Sequence, residues 1–279
     1  MHAIPDRLER LQAVAADFVA KPAGTLVVAP DNQSREELNV VIHQALQATR
    51  SVEPDHQPTR VLVARNEMTG TDRAYADRYD VGDVVRYTKG STTIGVAAGE
   101  YATVTATDRA TNQLTVTLER GDTLTYDPKR LHGVSVYHEQ ERSFAPGDRM
   151  QFTAPSRELH VANRQLGTLK AIAGGEVTLV LDAGRTLRFQ VADHPHLDYG
   201  YAVTSHSSQG LTADRVIVHV DGERSAEAIV NQRLAYVAIS RGRDDVQIYT
   251  DNTTRLGLNL TRDVSHRAAI EQPQQALTA

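Results

Sequence analysis

The stretch from Thr25 to Leu46, TLVVAPDNQSREELNVVIHQAL, decides the fold class. Thr25–Ala29 is a short, continuous apolar run of the kind that forms a strand buried on both faces, and Pro30-Asp31-Asn32-Gln33 breaks it. Ser34 and Glu37 have capping-box spacing, and Leu38, Val41, Ile42, Ala45 and Leu46 then recur on one helical face. Pro54 and Pro58 close this segment, and Val61–Ala64 reads as a second buried strand. The stretch is thus a β-α-β unit, the start of an open α/β layer. Upstream, Leu8, Leu11, Ala15 and Phe18 stand at helical spacing, and Lys21-Pro22-Ala23-Gly24 stops that helix.

From about Tyr75 to His194 the pattern changes to short alternating stretches punctuated by Gly and Asp, which reads as all-β. This block repeats. Val81-Gly82-Asp83-Val84-Val85-Arg86-Tyr87 resembles Pro146-Gly147-Asp148-Arg149-Met150-Gln151-Phe152, and Gly121–Leu124 resembles Gly184–Leu187, a period of about 64 residues. Each copy has enough strands for a small five-stranded SH3-like β-barrel, whose closure would hide its edges. Acidic and basic residues are nearly balanced here, so any nucleic-acid contact in this block is local.

The α/β grammar then returns. Gly200–Thr204 is a strand entering the polar loop Ser205–Gly210, Arg215–Val220 is another strand, a helix is expected over 226–240, and Val246–Tyr249 ends the sheet. The expected architecture is one α/β domain interrupted by two tandem barrels. Its parts are residues 1–74 (first α/β part), 75–137 and 138–197 (barrels), 198–255 (remaining α/β part) and 256–279 (flexible tail).

The 279 residues include 40% hydrophobic and 23% charged side chains, with 30 Lys+Arg against 35 Asp+Glu, which is globular composition. The absence of cysteine removes disulfide frameworks, thiolate zinc sites and cysteine nucleophiles together. No apolar run approaches the roughly 20 residues of a membrane span, and MHAIPDRLER is too charged for a signal peptide, so a cytoplasmic protein is expected. The eleven histidines are scattered, His194-Pro-His196 is too sparse a pattern, and no metal site is expected.

Two motifs carry chemistry. Tyr201–Gly210, YAVTSHSSQG, runs a strand into a hydroxyl-rich loop at a strand end, where backbone N–H groups and the Thr204, Ser205, Ser207 and Ser208 hydroxyls can hold phosphate oxygens. A loop whose hydroxyls cap the next helix explains the same residues. Asn231–Arg243, NQRLAYVAISRGR, brings Arg241 and Arg243 to a helix end; arginine suits bidentate phosphate contact and can stabilise charge on a transferred phosphoryl group. The plainer alternative has these arginines complementing the helix dipole or pairing with Asp244 and Asp245.

Together the motifs resemble superfamily 1 DNA helicases, in particular the RecD-like motor of conjugative relaxase-helicases of the TraI/TrwC type. YAVTSHSSQG resembles the fifth helicase motif, AYVAISRGR the sixth, and Thr25–Leu46 the strand and helix that open the second motor domain. The resemblance implies a RecA-like second motor domain carrying SH3-like insertions. It makes Thr204, Ser205, His206, Asn32 and Arg35 candidates for single-stranded DNA contact, with Ser34 and Asn39 nearby. Gly210, Arg241 and Arg243 become candidates for nucleotide phosphates, Arg241 as the arginine finger, with Gln209 beside it in the catalytic set. Gln232 and Tyr236 are packing or relay positions, and Tyr87, Arg86, Tyr101 and Phe152 are stacking or phosphate candidates in the barrels.

The chain departs from the family in one respect: none of Lys21, Lys89, Lys129 and Lys170 stands in a G-x-x-x-x-G-K-[ST] sequence. It therefore reads as the trailing half of an ATP-dependent helicase, inactive alone. ATP and Mg²⁺ would be bound only together with a Walker-bearing half, an N-terminal helicase half or relaxase on another chain or a missing upstream region. The Met1 start just before the second motor domain fits a split gene, a truncated gene or a fragment. The alternative is a non-enzymatic DNA-binding or protein-interaction module derived from a helicase.

Overall fold

The computed structural model describes residues 1–53, 58–65, 68–205, 207–208, 213–221 and 240–260. In chain order the elements begin β1 (His2–Ala3), α1 (Arg7–Ala20), β2 (Thr25–Ala29) and α2 (Asn32–Ala48). There follow β3 (Pro58–Ala64), β4 (Val84–Tyr87), β5 (Tyr101–Asp108), β6 (Gln113–Leu118), β7 (Thr123–Tyr126) and β8 (Val134–Ser143). A second run comprises β9 (Arg149–Phe152), β10 (Leu166–Ala173), β11 (Glu176–Leu181), β12 (Thr186–Gln190) and β13 (Leu197–Tyr199). The chain then adds β14 (Ala202–Thr204), β15 (Ala213–Val220), β16 (Gly242–Thr250) and a helix over Thr253–Leu260. Two units result: Met1–Ala45 with Tyr201–Ala279, and Leu46–Gly200.

In the first unit every ladder is parallel, in the order β1-β16-β15-β2-β14. Val27, Val28, Ala29, Val216, Ile217 and Val218 are buried, as expected of strands covered on both faces. Val28, Val203, Val216, Val218 and Val220 pack with Leu256 of the Thr253–Leu260 helix, so residues 256–260 are ordered helix rather than the start of a flexible tail. The opposite face carries α1. This helix is capped by Asp6, which accepts from the Glu9 N–H at 2.8 Å, and buries Arg10, Leu11, Val14, Ala15 and Phe18. Leu8, expected in the apolar stripe, is 59% exposed, and the fully buried Arg10 holds the position on the inner face. Gly24 ends the approach to β2 at φ +69, where a side chain would collide with the Asp214 carboxylate.

The β-α-β reading of Thr25–Ala64 is overturned. β3 does not join β2; it pairs antiparallel with β8 in the second unit, and β15 and β14 flank β2 instead. Val61, Leu62 and Val63 are all buried, which is why this antiparallel edge strand reads like a central parallel one. The seam between units accordingly lies at Ala45 and Leu46, well before residue 74.

The second unit holds a six-stranded sheet, β3-β8-β4-β5-β6-β7, and a five-stranded one, β12-β11-β10-β9-β13. In each, a four-strand antiparallel meander is joined by a later strand that returns to its first member: β8 to β4, and β13 to β9. The expected closed barrels are absent from the described ladders; both sheets are linear, with edge strands β3 and β7, and β12 and β13.

The repetition extends to individual bonds at an offset of about 65 residues. Buried Asp83 and Asp148 accept from the N–H groups of Asp80 and Ala145; Glu100 and Gln165 accept from those of Ala97 and Ala162. Arg120 and Arg185 donate to the carbonyls of Gly95 and His160, and both copies bulge at matched positions of β5 and β10. Gly95 and Gly99, at positive φ, become His160 (φ 48) and Arg164 (φ 70) in the second copy.

Candidate nucleic-acid and phosphate site

Parallel strands align their carboxyl ends, and in the first unit β2 and β14 finish together: Thr204 is registered with Ala29, and the Ser205 N–H donates to the Ala29 carbonyl at 3.0 Å. The chain then curls into a turn. The Thr204 and Ser207 hydroxyls share a 2.8 Å bond, the Ser208 N–H donates to the Thr204 carbonyl, and the Ser208 hydroxyl donates to the Ser205 carbonyl at 2.7 Å. Thr204, Ser205 and Ser207 are half-buried and Ser208 is buried, so the hydroxyls of Thr204 and Ser205 stand at the sheet end and Ser208 closes the turn.

Beside them, Pro30 and Asp31 lead into α2. Asp31, not Ser34, caps this helix: its carboxylate accepts from the Ser34 N–H at 2.7 Å and from the Ser34 hydroxyl at 3.2 Å. The helix starts at Asn32, three residues earlier than the Ser34 capping box implied, because Asp is as good a cap as Ser and comes first in the chain. Asn32 is exposed at the helix N-terminus, while Arg35 is buried and donates to Glu36. Asn39 is buried and used up by structure: its side chain accepts from the Ala202 N–H at 2.7 Å and donates to the Ala202 carbonyl, completing the outer edge of β14. It is a strand clamp rather than a DNA contact.

Arg241 and Arg243 lie at the other end of the sheet. Ser240 and Arg241 are helical and lead directly into β16, whose Gly242 is registered with Ala213 at the amino end of β15. Arg241 is half-buried. Arg243 is exposed and bonded to Asp214, whose carboxyl it holds below the usual range; Asp245 pairs instead with Arg215. For Arg243, then, the ion pair runs across the strands to Asp214. The registers put about five residues of strand, roughly 16 Å, between the Arg243 row and Thr204. The structure thus brings Asn32, Arg35, Thr204 and Ser205 to one end of the sheet and Arg241 and Arg243 to the other. His206, Gln209, Gly210, Gln232, Tyr236 and the helix expected over 226–240 lie outside the described residues.

Sequence reasoning missed a polar cluster at the carboxyl end of β15. Arg10 donates to the carbonyls of Ile4 (2.6 Å) and Pro5 (3.0 Å) and to His219 Nε2 (3.3 Å), and pairs with Asp221 at 3.1 Å. Arg7 bridges Asp221 to Glu37 of α2. Burial, with the charges of Arg10 and Arg7, pushes His219 down to about 4, so it is a neutral acceptor. Two arginines three apart on a helix, the second on its apolar face, were the available signal.

In the second unit, Tyr87 and Phe152 occupy equivalent core positions and are buried, so neither is a stacking platform; the Tyr87 hydroxyl meets that of Tyr126 at 3.0 Å. Tyr101 shares a 2.6 Å bond with His196 Nε2, and the Arg86 guanidinium lies 5.5 Å from the Tyr101 ring. Among the described residues no cluster of three or more His, Asp or Glu could hold a metal ion, and no helix is long and apolar enough to cross a membrane.

Residues 199–249, which contain both motifs, match the UvrD-like helicase C-terminal domain family. The multifunctional conjugation protein TraI of Escherichia coli is 26% identical over 86% of this chain, and the conjugal transfer protein TraA of Rhizobium radiobacter is 33% identical over 39% of it. The chain spans only 14% and 10% of those proteins. A Pif1 helicase structure from a study of forked-DNA unwinding aligns with 94% of the chain and 50% of its own length, at 15% identity and a TM-score of 0.39. The family match over residues 199–249 and the two sequence relatives support the likeness to the C-terminal portion of a superfamily 1 helicase.

Proposed function

We propose that this chain, with its likeness to the C-terminal portion of superfamily 1 helicases, is the second motor half of a conjugative-type DNA helicase, holding single-stranded DNA and supplying the arginine side of an ATP site. The observation that supports this reading most is the separation of the two residue sets along one parallel sheet. Asn32, Arg35, Thr204 and Ser205, with His206 following in sequence, are assigned to the DNA strand; Arg241 and Arg243, with Gln209 and Gly210, are assigned to the nucleotide phosphates.

Chemically, hydroxyls and backbone N–H groups at the carboxyl end suit phosphodiester oxygens without reading bases. Arg241 would stabilise charge that develops on the γ-phosphoryl group during transfer, an effect typically worth about 10³–10⁵ in rate for an arginine finger. Arg243 competes less well for that role because Asp214 already holds it. None of the four lysines stands in a G-x-x-x-x-G-K-[ST] sequence, so Mg²⁺ and the phosphate-cradling lysine are assigned to a complementary half. The two repeated sheets are read as an insertion in the sequence of the motor domain. The competing reading, a helicase-derived interaction module, draws on the burial of Tyr87 and Phe152, which removes two stacking platforms.

The test is Arg241→Ala in a complex reconstituted with a Walker-bearing half. ATPase should fall by about a thousandfold or more while single-strand affinity stays within a few-fold. Unchanged ATPase would refute the arginine-finger role.

A further inference from the structure

The second unit contains a cavity of about 810 Å³ between its two sheets, within the size range of ligand clefts. Leu62, Val84 and Leu118 give it an apolar wall on the six-stranded sheet, and Ile172 and Val191 face them from the five-stranded one. Its rim is acidic. Glu119, Glu158 and Asp193 are exposed there, and the one cationic side chain among the described lining residues, Arg60, pairs with Glu139 outside the lining.

The backbone of β3 adds a second feature. β3 is the edge of its sheet, and the Leu62 N–H donates not to β8 but to the Pro195 carbonyl at 2.8 Å. In an antiparallel ladder alternate residues turn their N–H and C=O groups outward, so Arg60 presents its pair on the same side as Leu62, along the cavity and beyond the cover that Pro195 provides. An edge with an outward-facing donor and acceptor, beside an apolar wall and an acidic rim, matches an extended peptide whose residues alternate between apolar and cationic. A nucleic acid would meet like charge at the rim.

We propose that this cavity binds an extended, lysine- or arginine-bearing segment of a partner protein. The segment pairs through its backbone with β3 at Arg60, seats apolar side chains against Leu62, Val84 and Leu118, and directs its cations to Glu119, Glu158 and Asp193. This site is separate from the motor residues and does not depend on their assignment.

The experiment uses the full chain and a labelled synthetic nonapeptide alternating lysine and valine, with a glutamate-for-lysine counterpart, followed by fluorescence anisotropy. Saturable binding is expected, with the counterpart at least tenfold weaker. Hydrogen exchange should slow at the Arg60 amide when peptide is bound. The combined Glu119→Lys, Glu158→Lys and Asp193→Lys variant changes only exposed side chains and should lose at least tenfold in affinity while unfolding at the same temperature within a few degrees. Arg60→Pro removes the outward N–H without taking a bond from the β8 ladder and should weaken binding by about fivefold, the value of one net hydrogen bond. Arg60→Lys should bind within twofold of the parent. No saturation up to millimolar peptide, equal binding of the glutamate counterpart, indifference to charge reversal, or protection of the Arg60 amide by a single-stranded oligonucleotide instead of the peptide would each overturn the proposal.

Discussion

Arg10 is the buried cation on which the first unit's carboxyl-end cluster depends, and Arg10→Met tests that dependence. The side chain is 1% exposed and holds the carbonyls of Ile4 and Pro5, His219 Nε2 and the Asp221 carboxylate. Methionine keeps most of the apolar stem but strips the donors. Removing one partner of a buried ion pair costs about 3–5 kcal/mol, and Arg7 remains on Asp221, so the lower end, about 3 kcal/mol, is expected. The loss should appear as a lower urea midpoint for the first unit. His219 supplies an independent reading. Burial is the largest cause of its depression to about 4, and the Arg10 charge comes next, so the variant should raise its folded value toward 6.5 without reaching it. Because the folded value lies below the unfolded one, stability from His219 is complete above pH 6.5 and lost as pH falls toward 4; Arg10→Met should make that loss shallower. Urea denaturation at several pH values and NMR titration of His219 measure both effects. A stability change within 0.5 kcal/mol together with an unmoved His219 would refute the reasoning; the threshold is about the size of an ordinary surface substitution.

Asn39→Ala should cost about 1–3 kcal/mol by leaving the buried Ala202 N–H without its acceptor, and exchange at that amide should accelerate. His160→Gly and Arg164→Gly should each be neutral to stabilising by about 1 kcal/mol, because both positions have the positive φ that Gly95 and Gly99 fill in the first copy; thermal melts of the single variants check this. In the second unit, burial followed by the Arg86 charge depresses His196 to about 4, so stability should fall on the order of 3 kcal/mol as pH drops from 6.5 to 4, and His196→Gln should flatten that profile in pH-dependent denaturation.

What could be read from the sequence was local chemistry. The Gly-Asp entries of the two repeats were visible because a buried aspartate that accepts a backbone N–H three residues back, beside a positive-φ glycine, needs those residue types in that order. The hydroxyl loop after β14 was visible for the same reason. Partner choice was not. Val61–Val63 is as apolar as Leu26–Val28, and nothing local tells a strand of an antiparallel sheet from one in a parallel sheet when both are covered. The inner position of Arg10 depended on Asp221 and His219, more than two hundred residues away, and so escaped any periodicity. At the motor site, the pattern named the residue types, but only the strand registers separate Thr204 from Arg243 along the sheet.

The most direct measurement is the affinity of the chain for labelled single-stranded oligonucleotide across a salt series. Of the assigned contacts at the carboxyl end of the sheet Arg35 carries the cationic charge, and neutral hydroxyls and backbone N–H groups displace no counterions, so the logarithm of affinity should fall against the logarithm of salt with a shallow slope of about −0.7. No binding at low salt, or a flat salt response, would contradict a DNA-holding motor half.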